Sequence, residues 1–144
     1  MNKIAVIWAR FNPEITQKLL QGAVERLKQS MVKEEDILIV ECPGALEIPV
    51  LMKTALSRND VAGGIALGCV IQGETKHFDY VAGECSRGLM QVMLESNKPV
   101  AFGVLTTYDE AQAHARAAEG PSNKGYECAD VLLEMLHTIK KVSA

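Results

Sequence analysis

The four cysteines of this 144-residue chain, Cys42, Cys69, Cys85 and Cys128, form no C-x-x-C pair, and no histidine stands at metal-finger spacing. That excludes a zinc-finger type of structural site. An even cysteine number permits disulfides, but no export signal accompanies it, so free thiols are expected. Long hydrophobic runs are also missing, since none reaches the roughly 18 residues a membrane span requires. The N-terminus lacks a charged leader followed by a long apolar core and a small-residue cleavage site, and the expected location is the cytoplasm. A marked excess of charge of one sign is lacking too. A formal net charge of −3 gives no reason to expect a nucleic-acid or membrane-surface partner. Internal repeats, linkers and low-complexity stretches are absent. One domain over 1–144 is expected, large enough for a real core.

What remains is apolar, at 48% of residues, and punctuated. The run 3–9 (KIAVIWA) reads as a buried strand. Asn12-Pro13-Glu14 reads as a helix start, with an Asn cap, Pro in the first turn and an acid at the positive end. Ile15, Leu19, Ala23 and Leu27 then recur at four-residue spacing, which makes one helix face core. Further strands are expected at 37–42, 64–67 and 100–105, with helices over about 46–57, 79–96, 109–118 and 123–140. The order is β-α-β-α-β-α-β-α-α. Strands without polar alternation are buried on both faces. Strand-helix alternation implies a parallel sheet with right-handed crossovers. The expected fold is therefore a three-layer α/β/α sandwich around a central four-stranded parallel sheet, of the flavodoxin-like class. Such sheets hold ligands beyond the carboxyl ends of their strands, here at Arg10-Phe11-Asn12, Pro43-Gly44-Ala45, 68–77 and Thr106-Thr107.

The segment LGCVIQGETKHFDYV (67–81) is the richest of these. Its glycines, Gly68 and Gly73, either turn the chain or open backbone N–H groups to an anion such as phosphate near a helix start. It is not a P-loop, because no G-K-[ST] is present. His77 lies within it, and imidazole is the side chain whose ordinary pKa suits proton transfer near neutrality. His114 and His137 fall on expected helices away from strand ends and read as structural. Phe11 either stacks on a flat ring or staples the Asn12 cap. Phe102 reads by default as core. Glu47 either accepts hydrogen bonds from hydroxyls or favours a helix start. Arg116, Lys124 and Glu127 flank the last break. Lys124 is unfavourable at a helix N-terminus, which points to another use for it.

Several segments together resemble one family closely: A-R-F-N (9–12), P-G-A-L-E-I-P (43–49), A-L-G-C-V-I-Q-G-E-T-K-H-F-D-Y-V (66–81), G-L-M-Q-V (88–92), F-G-V-L-T-T (102–107) and S-N-K-G (122–125). In order and spacing they resemble 6,7-dimethyl-8-ribityllumazine synthase over almost the whole chain. The resemblance implies condensation of 5-amino-6-(D-ribitylamino)uracil with 3,4-dihydroxy-2-butanone 4-phosphate, the penultimate step of riboflavin synthesis. No metal or organic cofactor is implied, and the expected assembly is a homopentamer, in some members extended to icosahedral shells. Residue by residue, it implies that Phe11 stacks on the pyrimidine, with Asn12 beside it as an accessory. Ala45, Leu46 and Glu47 hold the ribityl chain, and Cys69, Val70 and Ile71 line the pyrimidine edge. Glu74 and Thr75 meet the butanone phosphate, and His77 transfers protons. Phe102 and Arg116 come from a neighbouring subunit, with Lys124 and Glu127 as further polar groups near that wall. Three positions depart from the pattern: Leu46 where an aromatic is frequent, Gln72 where a base is common, and Gly120 where many members have lysine. The first strand also begins at residue 3, whereas many members carry an N-terminal segment packed on a neighbour. Two alternatives stand beside it: a flavin- or lumazine-carrying module that keeps the pocket without turnover, and a purely structural shell protein whose interface binds nothing.

Overall fold

The computed structural model of the chain describes residues 2–144. Four strands, β1 (Lys3–Ala9), β2 (Ile37–Cys42), β3 (Val61–Ile71) and β4 (Val100–Thr107), alternate with α1 (Pro13–Gln29), α2 (Ile48–Leu56) and α3 (His77–Ser96). The short α4 (Glu110–Arg116) and the long α5 (Lys124–Ser143) follow. The strands are parallel throughout, in the order β2-β1-β3-β4.

β1 explains why its sequence has no polar alternation. Ile4, Val6 and Trp8 enter one core with Leu19 and Leu27 of α1 and Cys128 and Leu132 of α5. Ala5, Ile7 and Ala9 enter the other with Met52 and Leu56 of α2 and Cys85 and Leu89 of α3. Both faces of the strand are dry, so both need apolar side chains. The result is a flavodoxin-like three-layer α/β/α sandwich, as expected. The four-residue repeat in α1 is the buried stripe: Ile15, Leu19, Ala23 and Leu27 are all buried.

The third and fourth strands differ from expectation. β3 extends beyond 64–67 in both directions, and β4 includes Thr106 and Thr107. Gly68, expected in the loop, is a strand residue, and two more glycines of β3 are packing sites. A Cβ on Gly64 would collide with the Met52 sulfur, and one on Gly63 would come 2.9 Å from the Pro99 carbonyl oxygen. A glycine that lets another chain segment approach closely looks in sequence like one that bends a loop.

Asn123 joins α1, α4 and α5. It is buried, and its side-chain oxygen accepts from the backbone N–H groups of Gly125 (2.8 Å) and Tyr126 (3.2 Å). Its amide nitrogen donates to the carbonyls of Lys18 (3.1 Å) and Ala117 (3.0 Å). This N-cap therefore also fixes the end of α5 that carries Lys124 and Glu127.

Candidate functional site

Beyond the carboxyl ends of β1, β2 and β3 lies a cavity of about 490 Å³. Three separate turns build it. Past β1, the backbone N–H groups of Arg10 and Phe11 donate to the carbonyls of Cys42 (2.9 Å) and Pro43 (3.2 Å), so the chain stays tied to the β2 side after the strand ends. Phe11 is 69% exposed and lines the cavity, so the stapling alternative does not hold. Asn12 follows in the left-handed region, at φ 61 and ψ 57. It makes no side-chain cap to α1, contrary to expectation. Its amide instead donates to the Cys69 carbonyl at 3.0 Å.

Past β2, Pro43-Gly44 leads into a 3-10 turn, Ala45–Glu47. Ala45 is buried, whereas Leu46 is exposed at the cavity. Glu47 precedes α2, makes no capping bond to it, and borders the cavity.

Past β3, the expected loop is shorter than its sequence implies. Gly68, Cys69, Val70 and Ile71 are strand residues, and α3 starts at His77 and not near 79. The turn between them is held by Gln72 N–H on the Thr107 carbonyl (2.9 Å) and by His77 N–H on the Thr75 hydroxyl (3.3 Å). Cys69, Val70, Ile71, Thr75 and His77 line the cavity; Glu74 is exposed and does not. Phe78 and Val81 also line it and were not foreseen. A helix starting at 77 places 77, 78 and 81 on neighbouring faces, so the signal was present once that start is known.

A second cavity, of about 640 Å³, lies along β4. Phe102, Arg116, Lys124 and Glu127 line it, and it shares no lining residue with the first. Phe102 is 40% exposed, which corrects its default reading as core: β4 is an edge strand, and Phe102 and Thr106 face outward. The Arg116 guanidinium donates to the Gln112 carbonyl at 3.0 Å. Lys124 stands 3.6 Å from Glu127, which offsets its unfavourable place at a helix start. His114 and His137 line neither cavity, and His114 lies 3.6 Å from Glu110. Among the described residues, Glu14, Glu110 and His114 are close enough to share a metal ion, but they too are outside both cavities.

All four cysteines are free and buried. Burial is the main reason their thiols are pushed up, to about 11 for Cys42, Cys69 and Cys128 and about 12 for Cys85. Cys69 is thus a neutral thiol at physiological pH and no nucleophile, despite bordering the cavity. The folded state holds these protons more tightly than the unfolded chain does. The associated stability is complete below the ordinary thiol pKa of 9.0 and is lost as pH rises toward 11–12. We expect alkaline unfolding in that window, and thiol reagents at pH 7 to label the protein only after denaturant is added. Rapid labelling of native protein would contradict the burial.

The model of one protein family, 6,7-dimethyl-8-ribityllumazine synthase, matches residues 1–140. The chain belongs to this family. Membership in the lumazine synthase family makes it a transferase-type enzyme acting on small substrates. No helix among the described residues is long and apolar enough to cross a membrane.

Proposed function

We propose that the chain condenses 5-amino-6-(D-ribitylamino)uracil with 3,4-dihydroxy-2-butanone 4-phosphate, releasing phosphate and water and closing the lumazine ring. One observation carries this reading: three turns distant in sequence bring Phe11, Glu47 and His77 to one cavity in a chain of this family. Phe11 offers an exposed ring for a flat heterocycle. Glu47, with Ala45 and Leu46, borders the space for a polyol. The end of β3 offers backbone donors and acceptors to the pyrimidine edge, and Thr75, with Glu74 nearby, offers donors to the phosphate ester.

The chemistry suits one imidazole. An amine attacking a ketone sheds a proton, the carbinolamine loses water, and phosphate elimination and ring closure each move another proton. His77, exposed at the mouth of the cavity, serves these transfers in series. Holding two substrates in register supplies much of the remaining acceleration.

The cation for the phosphate is Arg116, joined by Phe102, and both lie in the second cavity. A site uniting the two cavities therefore draws on two copies of the chain, in a homopentamer working in the cytoplasm. Large apolar side chains left exposed on and beside α2 and α3, including Leu46, Val50, Met90 and Leu94, support a face that another copy covers.

Purified protein given both substrates is expected to develop lumazine absorbance and fluorescence in step with phosphate release. Absence of product with both substrates saturating would overturn the reading.

A further inference from the structure

We infer that Asn12 is a positioning residue for the aminopyrimidine, because its side chain replaces a missing rung of the sheet and so fixes the edge that the pyrimidine meets; this rests on the lumazine-forming reading above. β1 pairs with β3 only as far as Trp8 opposite Leu67. β3 runs on to Ile71 and stays paired with β4 through Ile71 opposite Thr107. Its last four residues thus have a neighbour strand on one side only. N–H and C=O of one strand residue point to the same side, and successive residues alternate. Cys69 faces the open side, since its carbonyl takes the Asn12 amide at 3.0 Å. Ile71, two residues on, presents its N–H and C=O to that side as well. A pyrimidinedione ring carries adjacent imide N–H and carbonyl groups, and an adjacent backbone donor and acceptor match them.

The same residue sets Phe11. Asn12 turns the chain from β1 into α1 through a left-handed conformation that asparagine tolerates. Its carbonyl accepts from the N–H groups of Ile15 (3.0 Å) and Thr16 (3.1 Å) and from the Thr16 hydroxyl (3.3 Å). Phe11 is therefore held from both sides, by its own N–H on Pro43 at 3.2 Å and by Asn12 on Cys69. The stacking ring and the hydrogen-bonding edge are linked through one amide.

Two variants separate this role from backbone strain. Asn12→Gly keeps the left-handed turn without steric cost and removes the donor together with the side chain's small share of the cavity wall. Asn12→Asp keeps the shape but sets a carboxylate against the Cys69 carbonyl until it is protonated. With the product lumazine as the binding probe, N12G is expected to melt near the parent and to bind about tenfold more weakly, equivalent to about 1.4 kcal/mol. The KM for the aminopyrimidine should rise in parallel, with the KM for the phosphorylated substrate unchanged. N12D should bind more weakly still near neutrality and recover toward the parent as pH falls through about 4, where its protonated carboxyl can donate again. Unchanged lumazine affinity in N12G, an equal rise in both KM values, or no pH rescue of N12D relative to the parent would overturn the inference. A parent enzyme that forms no lumazine would sink the functional reading instead, so the two failures are distinguishable.

Discussion

Replacing His77 with alanine is expected to slow lumazine formation by about 10²–10⁴-fold while leaving the melting transition nearly unmoved. His77 is exposed and belongs to neither core cluster, so removing the ring deletes no buried contact. It opens α3, where the backbone N–H, and not the ring, makes the bond to Thr75. Alanine is a good helix former and keeps that backbone. The loss should therefore appear in turnover more than in the KM of either substrate, as befits a group acting on protons in transit. Turnover within twofold of the parent would remove His77 from proton transfer. A parallel fall in stability would mean that the ring has a structural role.

Replacing Gly125 with alanine is expected to cost more than about 3 kcal/mol of stability, enough to abolish folding in a marginal background. Gly125 sits in the first turn of α5 where that helix meets α1. A Cβ there would lie on the Leu19 carbonyl oxygen, a backbone atom that cannot rotate away. Relief requires α1 and α5 to separate, which breaks the Asn123 bonds to Lys18, Ala117, Gly125 and Tyr126 together. The same shift carries Lys124 and Glu127 out of the second cavity, so any folded fraction should also be less active. Gly83→Ala in α3 is the control: a Cβ there meets nothing within 4 Å, and helix propensity favours alanine by about 1 kcal/mol. Comparable melting of the two variants would contradict the close crossing.

The contrast between Gly125 and Gly83 also marks what was legible in the sequence and what was not. Periodicity in α1 and the apolar run in β1 identify their elements because each reports a local environment, one stripe buried in the helix and two faces in the strand. The fold class follows from strand-helix alternation alone. The extent of β3 does not, because Gly63, Gly64 and Gly68 respond to Met52, Pro99 and other partners distant in sequence. His77 stands out in the sequence as a titratable group beyond a strand end, but its place at a helix start depends on where β3 stops. Asn12 was read as a cap because asparagine before Pro-Glu usually is one; its amide goes to Cys69, 57 positions away, and no local pattern records that. Phe102 read as core because strand-edge position is a property of topology, which places β4 outermost.

In the proposed assembly one site is built from two copies, with His77 from one and Arg116 from the next. Arg116→Ala alone should mainly raise the KM for the phosphorylated substrate, and His77→Ala alone should lower turnover. The most direct measurement is the activity of the two variants co-expressed in equal amounts, assayed at limiting phosphorylated substrate. If each interface pairs copies at random in a closed ring, about one quarter of the sites regain both native side chains, and activity should approach that fraction of the parent. Activity equal to the mean of the two separate variants would contradict a shared site.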